Sequence, residues 1–178
     1  MSDKNKDLDI TFHPHSKLGK VAFSFNEEDV LTVLGWPSER EIYYYNTPTS
    51  EDEKKTISPE PIQYSINLFY PDLAVFIGYA DNKFQGTSVH INDLVLEGYR
   101  LSEMYKEDVL DFLENYHHKN NLSFQCQVSY AEAFNEECYE YDNLGLTLWY
   151  VGDTISDICV MHPNAWEAYI EKEEELNK

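Results

Sequence analysis

Residues 28–34 read Glu-Asp-Val-Leu-Thr-Val-Leu, and residues 107–113 read Glu-Asp-Val-Leu-Asp-Phe-Leu. A phrase written twice restricts the fold strongly, because similar segments favour the same local structure at both places. In the first copy Val30, Leu31, Val33 and Leu34 fall at helical spacing. Asn26 offers an N-cap, and Glu27, Glu28 and Asp29 suit the positive end of the helix dipole. Gly35 is placed to end that helix and Pro37 prevents its continuation. In the second copy Val109, Leu110, Phe112 and Leu113 repeat the apolar face. This helix is expected to reach His117 or His118, whose charge favours its C-terminus, and to stop near Asn120-Asn121.

A second pair of phrases follows the first. Tyr70–Tyr79 (YPDLAVFIGY) aligns with Tyr141–Tyr150 (YDNLGLTLWY), and both read as a turn followed by a half-buried strand of period two. Each precedes a short polar turn, at Asp81-Asn82-Lys83 and Gly152-Asp153-Thr154, and then an apolar-rich stretch, at Thr87–Leu96 and Ile155–Val160. Each unit is therefore expected to end in an antiparallel hairpin. The segment Thr47–Pro61 has three prolines and a charge run without periodicity, the pattern of a solvated loop. The expected fold is α+β: two tandem repeats of a helix packed on an antiparallel sheet, plus a C-terminal acidic helix from Ala165. The repeats would span residues 1–97 and 98–178, as two domains or as one compact domain, with the boundary near Leu94–Tyr99.

The form Glu-x-Val-x-x-x-Leu-Gly-x-Pro is carried by Glu28, Val30, Leu34, Gly35 and Pro37. Such a helix followed by an antiparallel hairpin resembles the small repeat of the SmpA/OmlA lipoproteins, and the doubled unit resembles the β-lactamase inhibitory proteins. The second copy departs from this form, because Glu114-Asn115 follows Leu113 with neither Gly nor Pro. The glycine that opens such a helix and the secretion signal of both families are missing. The resemblance implies a protein-binding inhibitor rather than an enzyme.

Charge narrows the function classes. Thirty-three acidic residues face thirteen basic ones in 178 residues, a formal net charge of −20. That surface repels nucleic-acid phosphates and the anionic leaflet of a membrane, and attracts a basic partner along its field. Acidity of this kind also serves solubility alone. No run approaches the roughly 18 apolar residues of a membrane helix, and no signal-type stretch opens the chain. Cys126, Cys138 and Cys159 are an odd number among apolar and aromatic neighbours, which reads as free thiols in a reducing cytoplasm.

Chemistry-bearing motifs are few. His13-Pro14-His15 and the His117-His118 pair lack a second ligand pair, so no metal site and no cofactor are expected. No Gly-x-Ser-x-Gly or phosphate-cradling glycine cluster exists, and Glu136-Glu137 beside Cys138 disfavours its thiolate. The segment Ala131–Asn143 interleaves acids with rings. Alternation from Glu137 onward places Tyr139 and Tyr141 on one strand face and Glu140 and Asp142 on the other. Two readings stand: tyrosines in the core with acids in water, or a surface that grips Lys and Arg by charge and ring faces. On the second, the partner-binding set is Glu132, Glu136, Glu137, Tyr139, Glu140, Tyr141 and Asp142, joined by Tyr44 from the Tyr43-Tyr44-Tyr45 run, where a strand must expose a ring or cover an edge. The expectation is a non-enzymatic, cytoplasmic, acidic binding protein that neutralises a basic protein, as a bacterial immunity protein blocks a nuclease-type toxin. The alternatives are a DNA-mimic inhibitor of a nucleic-acid enzyme and an enzyme or small-ligand module.

Overall fold

The computed structural model describes residues 8–45, 63–131 and 134–163. The chain opens with three two-residue strands, β1 (Phe12–His13), β2 (Lys17–Leu18) and β3 (Val21–Ala22), which pair as a small antiparallel sheet. Helix α1 (Glu27–Leu34) starts on a reciprocal cap: Asn26 Oδ1 accepts from the Asp29 N–H, and the Asp29 carboxylate accepts from the Asn26 N–H, each at 3.1 Å. It ends at Gly35, whose φ of +82° suits glycine and whose N–H donates to the Leu31 carbonyl.

Four strands then form an antiparallel meander: β4 (Glu39–Tyr44), β5 (Gln63–Phe69), β6 (Leu73–Ala80) and β7 (Lys83–Ile91). A two-strand hairpin, β8 (Val95–Leu96) and β9 (Tyr99–Arg100), leads through a 3-10 turn to helix α2 (Lys106–Lys119). A second meander closes the fold: β10 (Gln127–Ala131), β11 (Glu136–Tyr141), β12 (Leu146–Val151) and β13 (Thr154–Met161). β13 pairs with β7, so the two meanders join in one eight-stranded sheet of order β10-β11-β12-β13-β7-β6-β5-β4.

This corrects the expected fold class. The protein is mostly β, with two α-helices among the described residues and both meanders in one eight-stranded sheet, not two helix-on-sheet α+β repeats ending in a helix. Both copies of the repeated phrase do lie in helices, α1 and α2, and the two tyrosine-bounded phrases supply β6 and β12. Local similarity does not make separate units here, because pairing of β7 with β13 continues the backbone ladder across them. The expected boundary at 97/98 lies in the β8–β9 turn. The acidic helix expected from Ala165 and the loop expected at Thr47–Pro61 lie outside the described residues.

One face of the sheet carries the core. A registered row of Tyr141, Leu146, Val160, Val89, Val75 and Leu68 crosses six strands, and each of these side chains is buried. Against this face pack Phe12, Leu18, Val21 and Phe23 from the first strands, Val30 of α1, Leu94, Leu96 and Leu101 around the small hairpin, and Val109 and Leu113 of α2. Thr87 fastens the layer by donating its hydroxyl to the Phe25 carbonyl and its N–H to the Phe23 carbonyl. α2 ends at Lys119. His117 is buried there, with its Nδ1 2.7 Å from the Leu113 carbonyl rather than presented as a solvated charge.

Candidate functional site: the uncovered face of the sheet

Residues alternate between faces along a strand, so every second register row points away from the core. One such row runs Glu39, Phe69, Ala74, His90, Cys159, Thr147, Glu140 and Gln127, across all eight strands. Beside it lie Glu41, Asn67, Phe76, Ser88 and Met161, and on the other flank Asp157, Trp149, Cys138 and Ser129. Among the described residues the main hydrophobic cluster contains none of these side chains and no described element packs over this face, although Cys138, Cys159 and Met161 on it are buried.

Its centre is aromatic. Phe69 meets Phe76 at 6.0 Å between ring centroids, Phe76 meets His90 at 4.6 Å, and His90 stacks with Trp149 at 6.1 Å. Alternation along β13 places Asp157 on the same face as Cys159, opposite Trp149, and its carboxylate lies 2.8 Å from His90 Nδ1. That contact bridges β7 and β13, the seam of the sheet, and fixes the imidazole plane between two rings. An open depression of about 830 Å³ borders His90 and Asp157 and runs past Phe69 to Asp93 and Arg100. Arg100 donates to Asp93 there, and Asp93 also accepts from the Ser102 N–H.

Cys159 is the register partner of His90, so Cys, His and Asp stand together. The chemistry of a thiolate nucleophile does not follow. Cys159 is 3% exposed, and burial first, then Asp157, pushes its thiol up to about 12. Cys138, on the same face, is pushed up to about 11 by burial first and then by Glu140. Among the described residues no three His, Cys, Asp or Glu side chains gather to hold a metal ion.

The residues singled out in the sequence are dispersed. Glu136 and Glu140 do reach the uncovered face on β11, and the Glu140 carboxylate lies 3.8 Å from Cys138 Sγ. Tyr141 is 1% exposed in the core, so it cannot touch a partner. Tyr139 lies on the same covered side, half-buried, and donates to Glu137 at 2.6 Å. Glu137 in turn accepts from Lys106 Nζ at 2.6 Å, and that ammonium sits 5.2 Å from the ring centroids of both Tyr139 and Tyr150. The lysine of α2 thus already occupies the tyrosine–carboxylate grip. Burial pulls that ammonium down, but hydrogen bonds to Glu137 and Tyr139 outweigh it and leave Lys106 raised. The Lys106 hydrogen bond, then that of Tyr139, holds the Glu137 carboxyl below its ordinary value. Asp142 is exposed in a 3-10 turn beside Gln127. Tyr44 stands at the opposite edge of the sheet, against Tyr64 at 5.7 Å. Glu132 lies outside the described residues.

The centre of the face, formed by Phe69, Phe76, His90, Trp149 and Asp157, escaped the sequence reading. A signal was present: Phe76 and Trp149 occupy the off-phase positions of alternating strands, where polar residues are the rule. Their meeting with His90 required the β7–β13 pairing. Among the described residues no helix is long and apolar enough to cross a membrane. Compared with known protein families, with curated proteins and with solved structures, the chain matches none.

Proposed function

We propose that this protein is a non-enzymatic acidic binder that neutralises a basic protein, an immunity-type inhibitor of a toxin such as a nuclease, and that the partner docks on the uncovered face of the sheet. The observation that carries this reading is the charge of that face. Its three registered rows contain Glu39, Glu41, Glu140 and Asp157 but no Lys or Arg. Elsewhere Arg40, Arg100, Lys106 and Lys119 are ion-paired with Glu27, Asp93, Glu137 and Glu97, so these cations are absorbed away from the open rows.

The mechanism is occlusion. Carboxylates toward the two edges take up the partner's cations, and Phe69, Phe76 and Trp149 between them supply apolar area and ring faces for Arg or Lys. The resemblance carried by Glu28, Val30, Leu34, Gly35 and Pro37 points the same way. Spacing favours this over DNA mimicry. Glu39 at one end of the row and Glu140 next to its other end are six strand steps apart, or about 29 Å at the usual strand separation. Aromatic and neutral residues lie between them, with no regular series of carboxylates.

The test is to immobilise the chain in host lysate at low salt, identify a stoichiometric basic protein, and measure its association rate against ionic strength. The rate is expected to fall as salt rises past about 0.15 M, where the Debye length is about 8 Å. Tight binding indifferent to salt would remove the electrostatic basis of the proposal.

A further inference from the structure

The two edges of the sheet are protected very differently. An exposed edge strand is a template for another strand, and proteins blunt such edges with charge, proline or a covering element. β4 carries Glu39, Arg40 and Glu41 along its edge. β10 reads Gln-Val-Ser-Tyr-Ala, with neither charge nor proline, in a chain of net charge −20. All five of its residues are exposed, Val128 at 62% and Tyr130 at 55%, and Phe134 beyond it at 73%. Among the described residues β11 is its sole strand partner, and no described strand pairs with the other side of its backbone. The Tyr130 hydroxyl is already used within the hairpin, donating to Asn135 at 2.6 Å, so its ring rather than its hydroxyl is left for contact.

We propose that β10 pairs with β10 of a second copy of this chain, antiparallel about Ser129, joining two eight-stranded sheets edge to edge. The strand is self-complementary in that register. Ser129 meets Ser129 of the second copy, Val128 meets Tyr130 on the covered side in both directions, and Gln127 meets Ala131. No charge lies opposite a charge, and the aromatic–β-branched pair, made twice, is among the favourable cross-strand combinations. A basic partner would find no carboxylate on this strand, so the chemistry of the edge fits a second copy better than the ligand of the open face. Two chains of like charge repel at long range, so added salt strengthens this contact, opposite to its effect on a basic partner.

The experiment is sedimentation velocity on the full chain at low and high salt, with Ser129→Glu and Ser129→Lys. A residue on the two-fold axis faces its own copy, so each variant places like charges together, while an equimolar mixture places opposite charges together. The wild type is expected to sediment as a dimer that tightens with salt, each variant alone as a monomer, and the mixture as a dimer. Circular dichroism of each variant confirms folding, and Ser129→Thr, which adds no charge, is expected to remain dimeric. A monomeric wild type at every salt concentration, or variants as dimeric as the wild type, overturns the proposal.

Discussion

Leu148 and Trp149 are neighbours in β12 that point to opposite faces, and truncating each to alanine tests the layering directly. Leu148 is fully buried, registered between Tyr139 and Ile158 and enclosed by the cluster that α2 and the small hairpin cover. Leu148→Ala removes buried methyl groups and leaves a cavity, at a cost of about 3 kcal/mol. For a chain of this size each kcal/mol lowers Tm by about 2–4 °C, so the loss is about 6–12 °C. Trp149 is the larger side chain, but it lies half-buried on the uncovered face with its principal ring contact at His90. Losing that stack costs about 1 kcal/mol beyond the area the indole covers, and truncation at this open face leaves no enclosed cavity, so the total is expected to stay below the loss at Leu148. Were both residues in a core, the indole would be the more costly to remove, so the inverted order is diagnostic. Urea unfolding followed by far-ultraviolet circular dichroism measures both, with an unchanged m-value confirming comparable unfolding. If Trp149→Ala destabilised the chain as much as Leu148→Ala, the uncovered face would be a second core and the docking argument would fail.

Further outcomes follow from individual contacts. Gly145 holds a φ of +63°, and a Cβ there would lie 2.0 Å from the Met161 carbonyl oxygen, whereas Gly35 has a φ of +82° with nothing within 4 Å. Gly145→Ala is therefore expected to cost at least about 2 kcal/mol and Gly35→Ala only about 1 kcal/mol, as read from chemical denaturation; equal losses would contradict the contact with Met161. The Glu137 carboxyl is held below its ordinary value by Lys106 and then Tyr139, so the stability it contributes is complete above the unfolded carboxylate range. That contribution is lost as pH falls through the depressed value, and Glu137→Gln is expected to flatten this part of the acid-side decline in Tm; an unchanged profile would argue against the pair. Burial raises the thiols of Cys138 to about 11 and of Cys159 to about 12, and raises that of Cys126 as well. Ellman's reagent at about pH 8 is expected to react first with the less buried Cys126 and to reach the other two only on unfolding; rapid reaction of all three would contradict their burial.

Local features were legible wherever short-range chemistry decides. The Asn26–Asp29 cap, the glycine stop at Gly35, the end of α2 near Asn120 and the alternation of β6 and β12 all stand in the sequence, because each depends on neighbours a few residues apart. The global arrangement was not, because the repeated phrases specify elements and not the pairing of β7 with β13 that makes one sheet of them. The two-residue strands between Phe12 and Ala22 are too short to show any period. Alternation along β11 separated Tyr139 and Tyr141 from Glu140, but nothing local to that strand tells which face a helix will cover. Lys106, which takes up Glu137 and both tyrosine rings, comes from 31 residues away, and the His90–Asp157 contact spans 67. Electrostatic partners of that separation are fixed by topology alone.

The most direct test of the central claim compares two variants of equal charge change for binding to the basic partner recovered at low salt. One replaces Glu39, Glu41 and Glu140 of the uncovered face with glutamine; the other replaces the exposed Glu28, Glu103 and Glu107 on and beside the helices. A patch-directed mechanism predicts that only the first set slows association and reduces its salt dependence. Equal weakening by both sets would mean that net charge alone attracts the partner, and the uncovered face would lose its assigned role.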